Sequence, residues 1–159
     1  MIIMIDNIKG DEMSMDFLPS TEGKQYTGAC HCGAVKIEMQ GPLYPFVVCH
    51  CRDCLRTSGF TWAAAKLTDD QLTFTSGEAH VDWYDSSDFG KRGCCKTCHS
   101  HMFFKVKGSH LISVAPGIFD NFEGLETLGH IYRHSLPDVC HKLDDHPDID
   151  EAFYAKKEV

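Results

Sequence analysis

Nine cysteines punctuate the 159-residue chain, at positions 30, 32, 49, 51, 54, 94, 95, 98 and 140. Eight of them fall into three tight groups: Cys30-His31-Cys32, Cys49-His50-Cys51-Arg52-Asp53-Cys54 and Cys94-Cys95-Lys96-Thr97-Cys98. In an extended segment, residues i and i+2 project to one face, so a Cys-x-Cys pair aims two sulfurs at one ion while His31 and His50 turn away. A Cys-x-x-Cys pair needs a tight turn, whose backbone N–H groups can donate to the sulfurs. Four thiolates at about 2.3 Å make a closed zinc site, whereas three protein ligands leave a position for chemistry. Seven well-spaced cysteines suffice for one site of four and one of three. Spacing alone does not fix the pairing. Cys51 and Cys54 with Cys95 and Cys98 would make a ribbon-like site. Cys30 and Cys32 with Cys95 and Cys98 would leave Cys49, Cys51 and Cys54 as a trio.

The groups are far apart in sequence, so the elements between them must bring them together. Zinc then cross-links distant strands, and its binding energy becomes folding energy. Val35, Ile37 and Met39 alternate with Lys36, Glu38 and Gln40, which predicts a half-buried strand ended by Gly41-Pro42. Further strands are expected at 46–48, 60–64, 72–75, 80–84, 102–106, 111–115 and 129–132. Ser76-Gly77, Lys107-Gly108 and Pro116-Gly117 supply turns between them. No segment carries a long capped helical period. The expectation is one mainly β domain over residues 25–145, with an N-terminal extension at 1–24 and a C-terminal tail at 146–159. The closing stretch DDHPDIDEAFYAKKEV could form a short helix.

Composition narrows the function. Hydrophobic residues make up 43% and charged residues 24%, enough for a core without disulfides. The net charge of -8 repels phosphate backbones and argues against nucleic-acid binding, a local basic patch at Lys91, Arg92 and Lys96 aside. No secretory signal and no bilayer-length apolar run is evident. The chain is expected to be soluble and cytoplasmic, where clustered cysteines favour metal over disulfides. Cys95-Lys96-Thr97-Cys98 as a redox pair lacks the βαβ surroundings of a thioredoxin-like motif.

The stretches TGACHCGAVKIEM, CHCRDCLRTSG, GCCKTCHSHMFF and GHIYRHSLPD resemble the glutathione-dependent formaldehyde-activating enzyme / centromere-protein-V domain family, over roughly residues 25–140. The resemblance implies a small Mss4-like β fold of short antiparallel sheets with two zinc ions. It implies the second pairing: Cys30, Cys32, Cys95 and Cys98 hold a structural zinc, and Cys49, Cys51 and Cys54 hold a second zinc with an open position. It also implies a carbon–sulfur lyase activity that joins glutathione to formaldehyde. Two departures stand out: Cys94 and His99 replace the usual Phe and Gly flanking Cys-x-x-Cys, and Asp138 follows Pro137 where an aromatic is common.

At such an open site the incoming thiol would be held as thiolate, the nucleophilic form. Arg52 and Arg56 flank the trio and could attract the carboxylates of glutathione. The alternative is a non-catalytic zinc module that binds a small thiol or a protein partner. In a second alternative, Cys94, Cys140 or a histidine closes the trio as a purely structural site. His31, His50 and His130 are expected at the surface or in hydrogen bonds, and Cys94 and Cys140 could be small buried hydrophobes. Trp62, Trp83, Phe103 and Phe104 are expected in the core.

Overall fold

The protein is described from a computed structural model covering residues 19–137. Cys140, Asp138, the first eighteen residues and the suggested terminal helix lie outside the described residues. Ten strands and one short helix follow in order: β1 (Gln25–Ala29), β2 (Lys36–Gln40), β3 (Phe46–Cys49), α1 (Arg52–Ser58), β4 (Trp62–Thr68), β5 (Leu72–Ser76), β6 (Val81–Asp85), β7 (Gly90–Cys95), β8 (His101–Val106), β9 (Leu111–Val114) and β10 (Thr127–Ile131). The fold is mainly β. They form a three-stranded sheet, β1-β2-β5, and a seven-stranded sheet, β10-β3-β4-β9-β8-β7-β6. One pairing adds a parallel neighbour to otherwise antiparallel sheets. β10 returns beside β3 in parallel, with Ile131 opposite Cys49.

The main core lies between the two sheets. Tyr26, Ile37 and Met39 from the smaller sheet meet Leu67, Phe103, Ile112 and Val114 from the larger. Phe103 is fully buried, with Phe74 edge-on at 5.8 Å and Trp83 stacked at 5.8 Å. Burying one such side chain contributes about 1.5–3 kcal/mol. The alternation read from Val35–Met39 appears as Ile37 and Met39 pointing inward. Gly28 lets β1 approach the chain at Phe119, because a Cβ there would sit 2.4 Å from the carbonyl oxygen of Ile118. Before β1, Thr21 is buried; its hydroxyl accepts from Leu43 N and donates to Leu43 O.

The larger sheet also packs on its other face. On β4 the period of two sends Ala65 and Leu67 to the main core, and Trp62 and Ala64 to the opposite side. There they meet Cys54 and Ala115, with Phe104 against them. α1 covers this second face. Gly59, in the left-handed conformation (φ 74°), terminates the helix. Among the described residues no helix is long and apolar enough to cross a membrane.

Candidate metal centres

Four sulfurs converge where the two sheets meet. Cys30 and Cys32 lie in the turn after β1, Cys95 ends β7, and Cys98 lies in the turn before β8; their sulfurs all fall within 4.8 Å of one another. A zinc ion with bonds of about 2.3 Å sets tetrahedral sulfurs about 3.8 Å apart. The Cys30–Cys32 and Cys32–Cys95 sulfurs stand 3.6 and 3.9 Å apart, so the donor set fits such an ion. Backbone groups hold the sulfurs in place. Val35 N donates to Cys30 Sγ at 3.3 Å, and Gly33 N to Cys30 O at 2.9 Å. Ser100 ties the two turns together: its Oγ accepts from His31 N at 3.0 Å and lies 3.2 Å from Cys98 Sγ. Hydrogen bonding from Ser100 draws the Cys98 thiol down to about 5. Cys30 and Cys95 are buried, Cys98 half-buried and Cys32 exposed.

Three sulfurs converge on the second face. Cys49 ends β3, Cys51 caps α1 and Cys54 lies in its first turn, again within 4.8 Å of one another. Cys54 N points at Cys51 Sγ, 3.5 Å away. Among the described residues no fourth Cys, His, Asp or Glu joins this group, so Cys94 and the described histidines do not close it. Hydrogen bonding from Cys49, aided by the Arg92 guanidinium, lowers the Cys54 thiol to about 6, while the same contact pushes Cys49 up.

The histidine between the first two sulfurs is used structurally. His50 is buried, and its Nε2 lies 2.8 Å from His130 Nδ1. His50 N also donates to Ile131 O at 3.0 Å. The parallel strand β10 thereby fixes the segment that carries Cys49 and Cys51. His31 is exposed beside the other cluster.

Arg52 and Arg56 are both exposed. Each lies two residues from Cys54, which puts it about 200° around the helix from that sulfur. Arg92, which the sequence allows in a local basic patch, is 4% exposed, on β7, beside the trio. Its Nη2 lies 3.5 Å from Cys54 Sγ, and its guanidinium sits 5.6 Å from the Trp62 ring and 5.1 Å from the Phe104 ring. The rest of the expected patch is tied down. Lys91 lies over Trp83 at 4.7 Å, and Lys96 Nζ donates to Ala79 O at 2.8 Å. His101 stacks on Trp62 at 5.0 Å and meets Ser58 Oγ through Nδ1 at 3.1 Å. Burial, reinforced by the charge of Arg92, lowers its pKa to about 4. Sequence reasoning placed Trp62 and Phe104 in the core but missed that they and Arg92 wall a sulfur cluster. The signal was present as charge on a strand with glycine neighbours, which resembles surface.

The family model described as glutathione-dependent formaldehyde-activating enzyme matches residues 25–135. The chain belongs to that family. A protein of Halomonas elongata, whose provisional name is glutathione-dependent formaldehyde-activating enzyme, is 34% identical over 83 residues. That match takes in 48% of this chain and 53% of the relative, so the chain spans about half the relative's length. A crystal structure of a Rhodobacter sphaeroides protein shares the fold with a TM-score of 0.55 at 23% identity, covering 66% of this chain and 99% of that one. The family match over residues 25–135 contains both sulfur clusters and the strands that carry them.

Proposed function

We propose that this chain is a zinc-dependent carbon–sulfur lyase that condenses a thiol, glutathione by family membership, with a small aldehyde such as formaldehyde. In this reading Cys30, Cys32, Cys95 and Cys98 hold a structural zinc. Cys49, Cys51 and Cys54 hold a second. The observation that carries it is the gathering, among the described residues, of three sulfurs on the second face against four at the sheet junction. A three-thiolate zinc ion supplies an exchangeable position at which a thiol is held as thiolate. The reaction forms one bond, from thiol sulfur to carbonyl carbon. The carbonyl π pair moves to oxygen, and the proton lost by the thiol ends on that oxygen, with no change in redox state.

The chain's own residues shape this chemistry. Cys51 as helix cap and Cys54 one turn later set the spacing of the sulfurs. Trp62 and Phe104 supply an apolar wall that limits water beside them. Arg52 and Arg56, at the exposed rim, would meet the glutathione carboxylates from outside rather than at the sulfurs. A reducing cytoplasmic setting suits the reading, since the eight described cysteines are all free thiols.

The test is saturable formation of S-(hydroxymethyl)glutathione by zinc-loaded protein, measured above the uncatalysed background. Cys54→Ser should abolish this turnover and the second zinc while the far-ultraviolet spectrum stays that of the parent. Turnover that survives Cys54→Ser would overturn the proposal, as would purified protein with a single zinc per chain.

A further inference from the structure

Three contacting side chains, two of them packed against Cys54, hold buried polar atoms without a hydrogen-bond partner among the described residues. These are Arg92 Nε and Nη1, Trp62 Nε1 and His101 Nε2. The three residues are in mutual register: Arg92 lies over the Trp62 ring, and His101 stacks on it at an interplanar angle of 15°. Folded proteins leave few buried donors and acceptors unmade, and an isolated one usually marks a missing water, ion or ligand. Four on three contacting residues, next to a sulfur cluster, mark a place for a polar guest.

The charge says what kind of guest. Arg92 stays protonated at any pH a protein survives, and the Cys54 sulfur meets only its Nη2, so Nε and Nη1 remain as buried charged donors that an oxygen would satisfy. Among the described residues Arg92 forms no ion pair with a carboxylate; its one polar contact is Cys54 Sγ at 3.5 Å through Nη2. The other two nitrogens of the same planar fork lie within one guanidinium width of the Nη2 that meets Cys54 Sγ. A group bonded to a sulfur at this centre, and carrying an oxygen one carbon away, would bring that oxygen to them.

We propose that Arg92, with Trp62 and His101 beside it, forms an oxygen-binding subsite that receives the aldehyde-derived oxygen while the thiol sulfur faces Cys49, Cys51 and Cys54. The ligand class is a sulfur compound with a hydroxyl or alkoxide on the first or second carbon from sulfur, the second being the arrangement in 2-mercaptoethanol. This rests on the lyase reading above and adds a residue to it. As the carbon–sulfur bond forms, the π pair of the carbonyl shifts to oxygen. The guanidinium N–H groups hold the resulting negative charge without surrendering a proton. The proton released by the thiol returns through solvent and neutralises the oxygen.

The experiment uses cobalt(II)-loaded full chain, in which thiols entering the metal shell are followed by the sulfur-to-cobalt charge-transfer band. Affinities of 2-mercaptoethanol and ethanethiol are compared as a ratio, so that intrinsic thiol differences cancel between variants. Arg92→Met should lower that ratio about tenfold, because a hydrogen bond to a charged donor is lost. The metal content should be unchanged. With zinc, the same variant should lose about a hundredfold in kcat/KM for formaldehyde at saturating glutathione, with glutathione affinity within threefold of the parent. Arg92→Lys keeps the charge but not the fork; it should retain metal and still lose about tenfold in both readouts. An unchanged ratio in both metal-replete variants would overturn the subsite. So would full recovery of turnover in Arg92→Lys after metal loss in Arg92→Met, which assigns Arg92 a structural role. If the parent itself turns over no aldehyde, the lyase reading falls, and the thiol ratio alone decides the subsite.

Discussion

The two sulfur clusters are built from different distances along the chain. Cys30 and Cys32 leave the three-stranded sheet, while Cys95 and Cys98 join β7 to β8 of the seven-stranded sheet. An ion held by these four would bolt one sheet to the other across more than sixty residues. Cys49, Cys51 and Cys54 all come from one strand end and the first turn of α1, so an ion there orders only local chain. Surroundings diverge in the same sense. The four-sulfur cluster is closed by its own turns and by Ser100. The three-sulfur cluster meets Arg92 and Trp62, with His101 stacked behind Trp62, and the polar atoms of these three are not all used.

The comparison breaks most sharply under single cysteine substitution. Cys95→Ser removes a fully buried sulfur of the cross-sheet cluster. Metal-binding free energy that couples to folding is on the order of 10 kcal/mol, comparable to the whole stability of a domain. The expected outcome is loss of the cooperative thermal transition. Cys54→Ser should instead move the midpoint by no more than a few degrees and lower zinc content by one per chain. Calorimetry beside metal analysis checks both. Equal destabilisation by the two substitutions would erase the distinction between the clusters.

Much of this arrangement was legible in residue spacing, and the parts that were not share a physical cause. β2 announced itself because Ile37 and Met39 alternate with charges. β7 stayed hidden because its sequence, GKRGCC, carries glycine where partners press close. A Cβ on Gly90 would stand 2.6 Å from the Phe104 ring. Its buried Arg92 looks like surface charge until Cys54, 38 positions away in sequence, is folded against it. α1 has only seven residues, too few to display a helical period. β4 begins at Trp62 rather than at residue 60, since Gly59 and Phe60 still belong to the helix exit. β10 stops at Ile131, because Tyr132 turns left-handed (φ 58°). The three cysteine groups were plain from their spacing. Which groups meet was not, because sheet topology decides that, and resemblance to the family supplied the pairing that the fold places together.

Acid sharpens the comparison from the three-sulfur side. His101 is held neutral by burial and by the charge of Arg92, its pKa lowered to about 4. An unfolded histidine titrates near 6.5. The unfolded chain therefore takes up a proton first, so His101 contributes its full share above pH ~6.5 and that share is lost as pH falls towards ~4. For a partly exposed ring, solvent screening leaves about 1–2 kcal/mol of this effect. His101→Phe keeps a ring against Trp62 and removes the titration. Between pH 6.5 and 4.5 the parent's melting temperature should fall a few degrees further than the variant's. Acid loss of zinc is common to both proteins and cancels in the difference. Parallel pH curves would show that His101 carries no such linkage.

The smallest effect separates two turns of the four-sulfur cluster from each other. The turn at Cys30–Cys32 uses Gly33 in the left-handed region (φ 74°), where glycine meets no steric penalty. The turn at Cys95–Cys98 places His99 in the same region (φ 59°), closing it through His99 N to Cys95 O at 2.9 Å. A residue with a Cβ gives up about 1–2 kcal/mol in that conformation. Glycine relieves this strain but brings a more flexible unfolded chain, which offsets part of the gain. His99→Gly should stabilise the protein by about 0.5–1 kcal/mol, and Gly33→His should cost about 1–2 kcal/mol. Both are read by thermal unfolding in excess zinc, so that metal occupancy does not vary. His99 is exposed, so no packing is lost when its ring is removed. A variant no more stable than the parent would mean that the imidazole contributes an attraction equal to the strain it imposes.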